Sequence, residues 1–183
     1  SFNKTWIIKC EKNIPDTFKI LYTPTSNNSH VLEVIKSLGQ LIKRTPQKIS
    51  LTVVMGRHEK RLKKTLQATC PKETTLIGWT ENMPKLLCSH HLLIGKAGGA
   101  SVQESLASAC PMIIDSMIPG QEEGNAEMMT SINSGIIAFT AGEINSAILS
   151  LLQNDGKKWL EMRHNCFREG NPRAALNLAN LVA

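Results

Sequence analysis

LLIGKAGGASVQESLASACPMIIDSMIPGQEEGN, residues 92–125, reads as a buried strand, a glycine turn, a helix, a second buried strand and a loop that opens a second helix. Two loops therefore leave the carboxyl ends of neighbouring strands, and in an open α/β sheet ligands bind in the crevice along that edge. Gly98 and Gly99 let the backbone come close to a ligand, and the free amides of the following helical turn, through Ala100 and Ser101, present partial positive charge suited to a diphosphate. A tight strand-to-helix turn with no ligand leaves the same signature. Glu104 stands three residues after Ser101, so Ser-Val-Gln-Glu is a capping box, or else a carboxylate one turn below a phosphate site, placed to accept hydrogen bonds from ribose hydroxyls. In the second loop, Gly120, Gln121, Glu122 and Asn125 cluster amide and carboxylate groups at a helix start. Acids there complement the helix dipole, while fixed donors and acceptors suit sugar hydroxyls.

Upstream of this stretch, Phe18 to Thr23 is a strand and Pro24 to Ser29 a polar loop, followed by a helix with Val31, Ile35, Leu38 and Ile42 on one stripe. Ile49 to Met55 is the second strand, Gly56-Arg57-His58 a turn, Glu59 to Ala68 a basic helix and Thr74 to Gly78 the third strand. A short helix covers Met83 to Ser89, with Asn82 as cap and Pro84 in its first turn. The fourth and fifth strands are His91 to Gly95 and Pro111 to Asp115, separated by a helix over Ser101 to Ala109. Downstream come a helix over Gln121 to Ser134, a sixth strand over Ile136 to Phe139, and tail helices over Glu143 to Leu152, Lys157 to Arg168 and Arg173 to Val182. This alternation predicts a Rossmann-like, six-stranded parallel sheet with helices on both faces. Residues 1–17, with the apolar patch Trp6-Ile7-Ile8, form a lead-in segment, and residues 18–183 one binding domain.

The chain has 183 residues, of which 42% are hydrophobic and only 4% aromatic, enough for one core built from Leu, Ile, Val, Met and Ala. A net charge of +6 suits an anionic partner such as a phosphate or an acidic membrane surface. The basic residues lack the aromatic interleaving of single-strand binders, so nucleic acid is not expected. Cys10, Cys70, Cys88, Cys110 and Cys166 show no metal spacing with the histidines and read as free thiols of a reducing compartment. Adjacent His90 and His91 face opposite ways in a strand, so no shared metal is expected. No apolar run reaches membrane-span length. Thr23-Pro24-Thr25-Ser26-Asn27-Asn28 stands where a dinucleotide enzyme carries Gly-x-Gly-x-x-Gly, and no P-loop occurs, which argues against NAD, FAD and P-loop chemistry. Arg57 and Lys96 follow strand ends where a cation faces phosphate, although solvent is the commoner partner of any single one. Trp79 and Met83 either wall a base or pack in the core.

Three motifs in order resemble the carboxyl-terminal, donor-binding half of GT-B glycosyltransferases: Gly78-Trp79-Thr80-Glu81-Asn82-Met83-Pro84, Lys96-Ala97-Gly98-Gly99-Ala100-Ser101-Val102-Gln103-Glu104-Ser105-Leu106-Ala107, and Ile118-Pro119-Gly120-Gln121-Glu122-Glu123-Gly124-Asn125-Ala126. The likeness is greatest to the monogalactosyldiacylglycerol synthase and processive diacylglycerol glucosyltransferase group, related to the peptidoglycan lipid GlcNAc transferase. The resemblance implies an inverting hexosyltransferase that moves galactose or glucose from a UDP-sugar to a lipid such as diacylglycerol. It needs no cofactor or metal, because helix-terminus amides receive the charge on UDP. The resemblance also implies UDP contacts at Arg57, Trp79, Met83, Gly98, Gly99, Ala100, Ser101 and Glu104, and sugar contacts at Gly120, Gln121, Glu122 and Asn125. The acceptor site and general base would lie on an amino-terminal half absent from these residues, so no catalytic residue is assigned. Two departures stand out: the first loop, glycine-rich in the family, is Pro24 to Ser29, and Lys-Pro-Gly-Gly has become Lys96-Ala97-Gly98-Gly99. A nucleotide-binding subunit that works with a partner chain and a UDP-sugar 2-epimerase are the other expectations. The place expected is cytoplasmic, peripheral on a membrane face.

Overall fold

A computed structural model describes residues 13–25 and 28–173, with the backbone alone at Asn28; the apolar patch at 6–8 and all but the first residue of the helix expected over 173–182 lie outside them. Six strands, β1 (Thr17–Thr23), β2 (Lys48–Val54), β3 (Thr75–Ile77), β4 (Leu92–Lys96), β5 (Met112–Ser116) and β6 (Gly135–Ile137), form one sheet. Its order is β3-β2-β1-β4-β5-β6, and every neighbouring pair is parallel. The helices are α1 (Asn28–Arg44), α2 (Glu59–Thr69), α3 (Met83–Ser89), α4 (Gly99–Ala107), α5 (Glu123–Ser131), α6 (Ala141–Leu152) and α7 (Lys157–Glu169). The expected α/β sheet is therefore present, with element ends matching or shifted by at most three residues.

Alternate side chains of each central strand enter two separate apolar layers, which is why the strands are rich in successive hydrophobic residues. Ile20, Tyr22, Leu92, Ile94 and Ile113 pack with Val31, Ile35 and Leu38 of α1 and Ile144, Ile148 and Leu151 of α6. Leu21, Leu93, Met112 and Ile114 pack on the other face with Leu87 of α3, Val102 and Leu106 of α4 and Met129 of α5. Helix α7 serves both layers, sending Trp159 and Met162 into the first and Cys166 into the second.

The strand order reverses between β1 and β4, whose register sets Thr23 beside Gly95. A Cβ on Gly95 would collide with the Thr23 hydroxyl, so the close approach of these two strand ends requires glycine. At the other end of β4 the adjacent histidines are structural. His90 Nδ1 lies 2.7 Å from the Leu86 carbonyl, so that nitrogen carries the proton, while Nε2 is 2.9 Å from Thr52 Oγ1. His91 Nδ1 accepts from the Lys19 amide at 2.8 Å, and Trp159 Nε1 donates to the His91 carbonyl at 2.7 Å. Trp159 stands edge-on to His91 and to Phe18, with ring centroids 5.7 and 5.5 Å away.

The capping box expected at Ser101 and Glu104 does not form. Helix α4 begins two residues earlier, at Gly99, with Gly98 as its uncapped N-cap, so Ser101 is already inside the helix. The box occurs instead at α6, where Thr140 accepts from the Glu143 amide and Glu143 accepts from the Thr140 amide. Asn82 does occupy the N-cap position of α3, but its side chain makes no capping bond. Among the described residues no helix is long and apolar enough to cross a membrane.

Burial, with the Arg163 and Lys19 charges, holds His91 down to about 4 from its usual 6.5. A folded-state value below the unfolded one contributes stability that is complete above about pH 6.5 and is lost as pH falls toward 4. Urea unfolding between pH 7 and pH 4.5 should show a falling midpoint, and His91→Gln should flatten that fall.

Candidate functional site

At the carboxyl edge, the reversal between β1 and β4 leaves a cleft of about 500 Å³. Thr23 and Thr25 from the exit of β1, Lys96 and Ser101 from β4 and α4, and Ser116 and Ile118 from the exit of β5 face it. The glycine turn lies between Lys96 and Ser101, both of which line the cleft. Gly98 is extended (φ −67°, ψ 142°) and the first backbone bond of α4 runs from the Val102 amide to the Gly98 carbonyl at 3.0 Å, ahead of which lie the amides of Gly99, Ala100 and Ser101. No side chain caps them.

The protein's own packing does not call for glycine at either position. An added Cβ would meet nothing nearer than 3.6 Å at Gly98 or 3.8 Å at Gly99, and Gly98 has a φ any residue adopts. The missing side chains leave open space in front of uncapped amides, the condition an anion needs. Glu104, released from capping, is half-buried on the same helix, and burial pushes its carboxyl above the ordinary value.

The second loop divides into fixed and free groups. Glu122 is only 6% exposed; one carboxylate oxygen lies 2.7 Å from Lys96 Nζ and the other accepts from the Ile118 amide at 2.8 Å. Asn125 Nδ2 donates to the Ala97 carbonyl at 3.0 Å, and the Ala97 amide donates to the Ser116 carbonyl at 3.0 Å. These bonds bind the two loops to each other. Gly120 turns the chain in the left-handed region (φ 73°) and leaves Gln121 exposed. Gln121 is thus left open, as is Glu123 in the first turn of α5, whereas Glu122 and Asn125 hold the shape of the loop.

The residues expected around a base also part company. Arg57, in the turn after β2, and Trp79, after β3, pair with the guanidinium 5.8 Å from the ring centroid, and Trp79 is 64% exposed. Met83 is half-buried and packs against the core layer of α3 and α4. Among the described residues no group of three or more His, Cys, Asp or Glu side chains is placed to hold a metal.

Sequence reasoning overlooked a buried polar cluster directly beneath the cleft. Asp115 Oδ2 lies 3.4 Å from His30 Nε2, and Oδ1 accepts from Ser116 Oγ at 3.1 Å. Tyr22 is fully buried beside the same carboxylate, and burial raises both the Tyr22 phenol and the Asp115 carboxyl. The cluster links the first turn of α1 to the end of β5, one residue below Thr23 and Ser116. Its one sequence signal is an aspartate inside the apolar run of β5, since Tyr22 and His30 are remote in the chain.

No protein-family model matches the chain. Over 120 residues it is 32% identical to the processive diacylglycerol beta-glucosyltransferase of Staphylococcus carnosus strain TM300, an alignment covering 64% of this chain and 30% of that protein. The chain is a relative of the processive diacylglycerol glucosyltransferases. It spans about a third of the length of these relatives. Among solved structures, MurG of Acinetobacter baumannii superposes with a TM-score of 0.68 at 18% identity, over 93% of this chain and 51% of that one. The UDP co-structure of MnaA from S. aureus superposes with a TM-score of 0.70 at 14% identity, over 91% and 44%. The fold is that of one half of a GT-B protein.

Removing the Glu122 carboxylate leaves the Ile118 amide and Lys96 without their acceptor. Glu122→Ala should lower stability by roughly 1–3 kcal/mol in urea unfolding. Gln121→Ala, at an exposed position of the same loop, should stay within about 0.5 kcal/mol of wild type.

Proposed function

We propose that these residues bind the donor of a UDP-sugar-dependent, inverting glycosyltransferase that moves a hexose to a membrane lipid such as diacylglycerol. The observation that carries this is the open, uncapped Gly98-Gly99 turn at the point of strand reversal, with space that the protein's own packing does not use. The diphosphate lies against the Gly99, Ala100 and Ser101 amides, Glu104 accepts from the ribose hydroxyls, and the exposed Arg57–Trp79 pair meets the uracil ring. Gln121 addresses the sugar hydroxyls. The UDP carried by the MnaA co-structure and the glucosyltransferase name of the S. carnosus relative favour UDP and glucose.

In the transfer, an acceptor hydroxyl oxygen forms a bond to the anomeric carbon while the bond from that carbon to the β-phosphate oxygen breaks. The electron pair stays on UDP, and the acceptor proton passes to a base supplied from outside these residues. Fixed amide dipoles at the start of α4 stabilise the leaving charge, helped by the nearby Lys96 ammonium. The amides need no reorganisation when the charge appears. The +6 charge and a lipid acceptor suit a protein peripheral to an anionic membrane face.

Calorimetric titration with UDP tests this. Wild type should bind, and Glu104→Ala should bind about tenfold to a hundredfold more weakly, the loss of hydrogen bonds to a charged acceptor. Gly98→Ala has room to fold, so it should unfold near the wild-type temperature yet bind UDP at least tenfold more weakly. Wild type that ignores UDP, or a Gly98→Ala variant that binds it normally, overturns the assignment. Formation of an epimer from UDP-GlcNAc would move the reading to a 2-epimerase.

A further inference from the structure

A second and larger cleft, about 700 Å³, opens at the amino-terminal edge of the sheet, where α1, the start of β2 and the end of α2 meet. It is remote from the glycine turn, which lies at the carboxyl edge. Buried Ile49 and half-buried Ile42 and Pro71 give it apolar walls. Four lysines, Lys36, Lys43, Lys48 and Lys72, stand exposed around it against a single carboxylate, Glu73. Among the described residues none of the four forms an ion pair, whereas Lys63 on the neighbouring helix face is paired with Glu59 at 3.1 Å.

Uncompensated like charges around one opening raise the local potential and call for an anion. An acidic peptide or a nucleic acid would satisfy the lysines but leave the apolar walls unused, and a neutral acyl chain would do the reverse. An amphiphile with an anionic head satisfies both, because lysine stems lie along apolar surface while their heads stay in water. The volume falls in the range of sites that enclose a small molecule or part of one. The preceding residues 1–12 carry Lys4, Lys9 and Lys12 against Glu11, so charge does not favour them as occupants.

We propose that this cleft binds an acidic phospholipid of the membrane surface, its phosphate among Lys43, Lys48 and the flanking lysines and its acyl stem against Ile42 and Ile49. The source of the ligand rests on the membrane-lipid part of the proposed function; the chemistry of the cleft does not. A lipid held at the amino edge leaves the donor crevice free, so lipid and UDP bind independently.

The test is co-sedimentation of the full chain with phosphatidylcholine vesicles, with and without about one-third phosphatidylglycerol. Wild type should bind only the anionic vesicles. Lys43→Glu with Lys48→Glu should weaken that binding tenfold or more. Lys60→Glu with Lys64→Glu, an equal charge change on exposed positions of α2, should keep it within about threefold of wild type. Both pairs should bind UDP as wild type does. Equal losses in the two pairs would mean diffuse attraction and overturn the site, as would wild type that ignores anionic vesicles. Displacement by a polyglutamate peptide as effective as that by lipid would assign the surface to an acidic protein instead. Absence of UDP binding with cleft-dependent vesicle binding would remove the donor reading and leave the cleft, and the converse would remove the cleft alone.

Discussion

Parallel pairing of β1 with β4 is the constraint from which the rest of the molecule follows. A parallel neighbour cannot be reached by a tight turn, so each step from strand to strand takes a crossover, and the crossovers become the helices that bury both faces of the sheet. From β1 the sheet grows one way through β2 and β3, and from β4 it grows the other way through β5 and β6. The loops at the carboxyl edge therefore diverge on either side of that pair and leave a crevice. Gly95 makes the pairing possible there, because a side chain at that point would occupy the space of the Thr23 hydroxyl.

Around the crevice, polar groups fall into those that shape it and those left open. Lys96, Glu122 and the Ile118 amide form one short chain of contacts, and Asn125, Ala97 and Ser116 another. Together they hold the loops after β4 and β5 as a unit, in the way outer contacts orient the groups that meet a ligand. The cluster of Tyr22, His30, Asp115 and Ser116 does similar work from below, holding the start of α1. Held in this way, the uncapped amides of α4 and the side chain of Gln121 face open space in a fixed arrangement.

The relation to processive diacylglycerol glucosyltransferases is consistent with this division of labour. Backbone amides ask little of individual side chains, so Ala97 before the turn leaves the amides of Gly99, Ala100 and Ser101 uncapped and open. Likewise, the loop after β1 carries Pro24 and Thr25 rather than glycines, and His30 at the start of α1 is tied to Asp115 instead.

Sequence by itself determined the layered fold. Runs such as Ile20 to Tyr22 and Leu92 to Ile94 are buried at successive positions, as a strand covered on both faces requires, and their alternation with helical stripes dictates parallel crossovers. The place of the crevice followed, as did the opposed directions of His90 and His91. Tertiary structure alone decided which polar residues were spent on holding the fold. Ser-Val-Gln-Glu at 101–104 matches a capping box letter by letter, yet α4 starts at Gly99 because the chain leaving β4 turns at Gly98, so the box has no helix end to cap. Glu122 and Gln121 are indistinguishable in sequence as sugar contacts, and only the approach of Lys96 from another loop shows that one is buried and paired. Asp115 meets His30 across 85 positions of chain. Local pattern encodes local hydrogen bonding and periodic burial; pairings between distant segments depend on register and packing, which exist only once the sheet has formed.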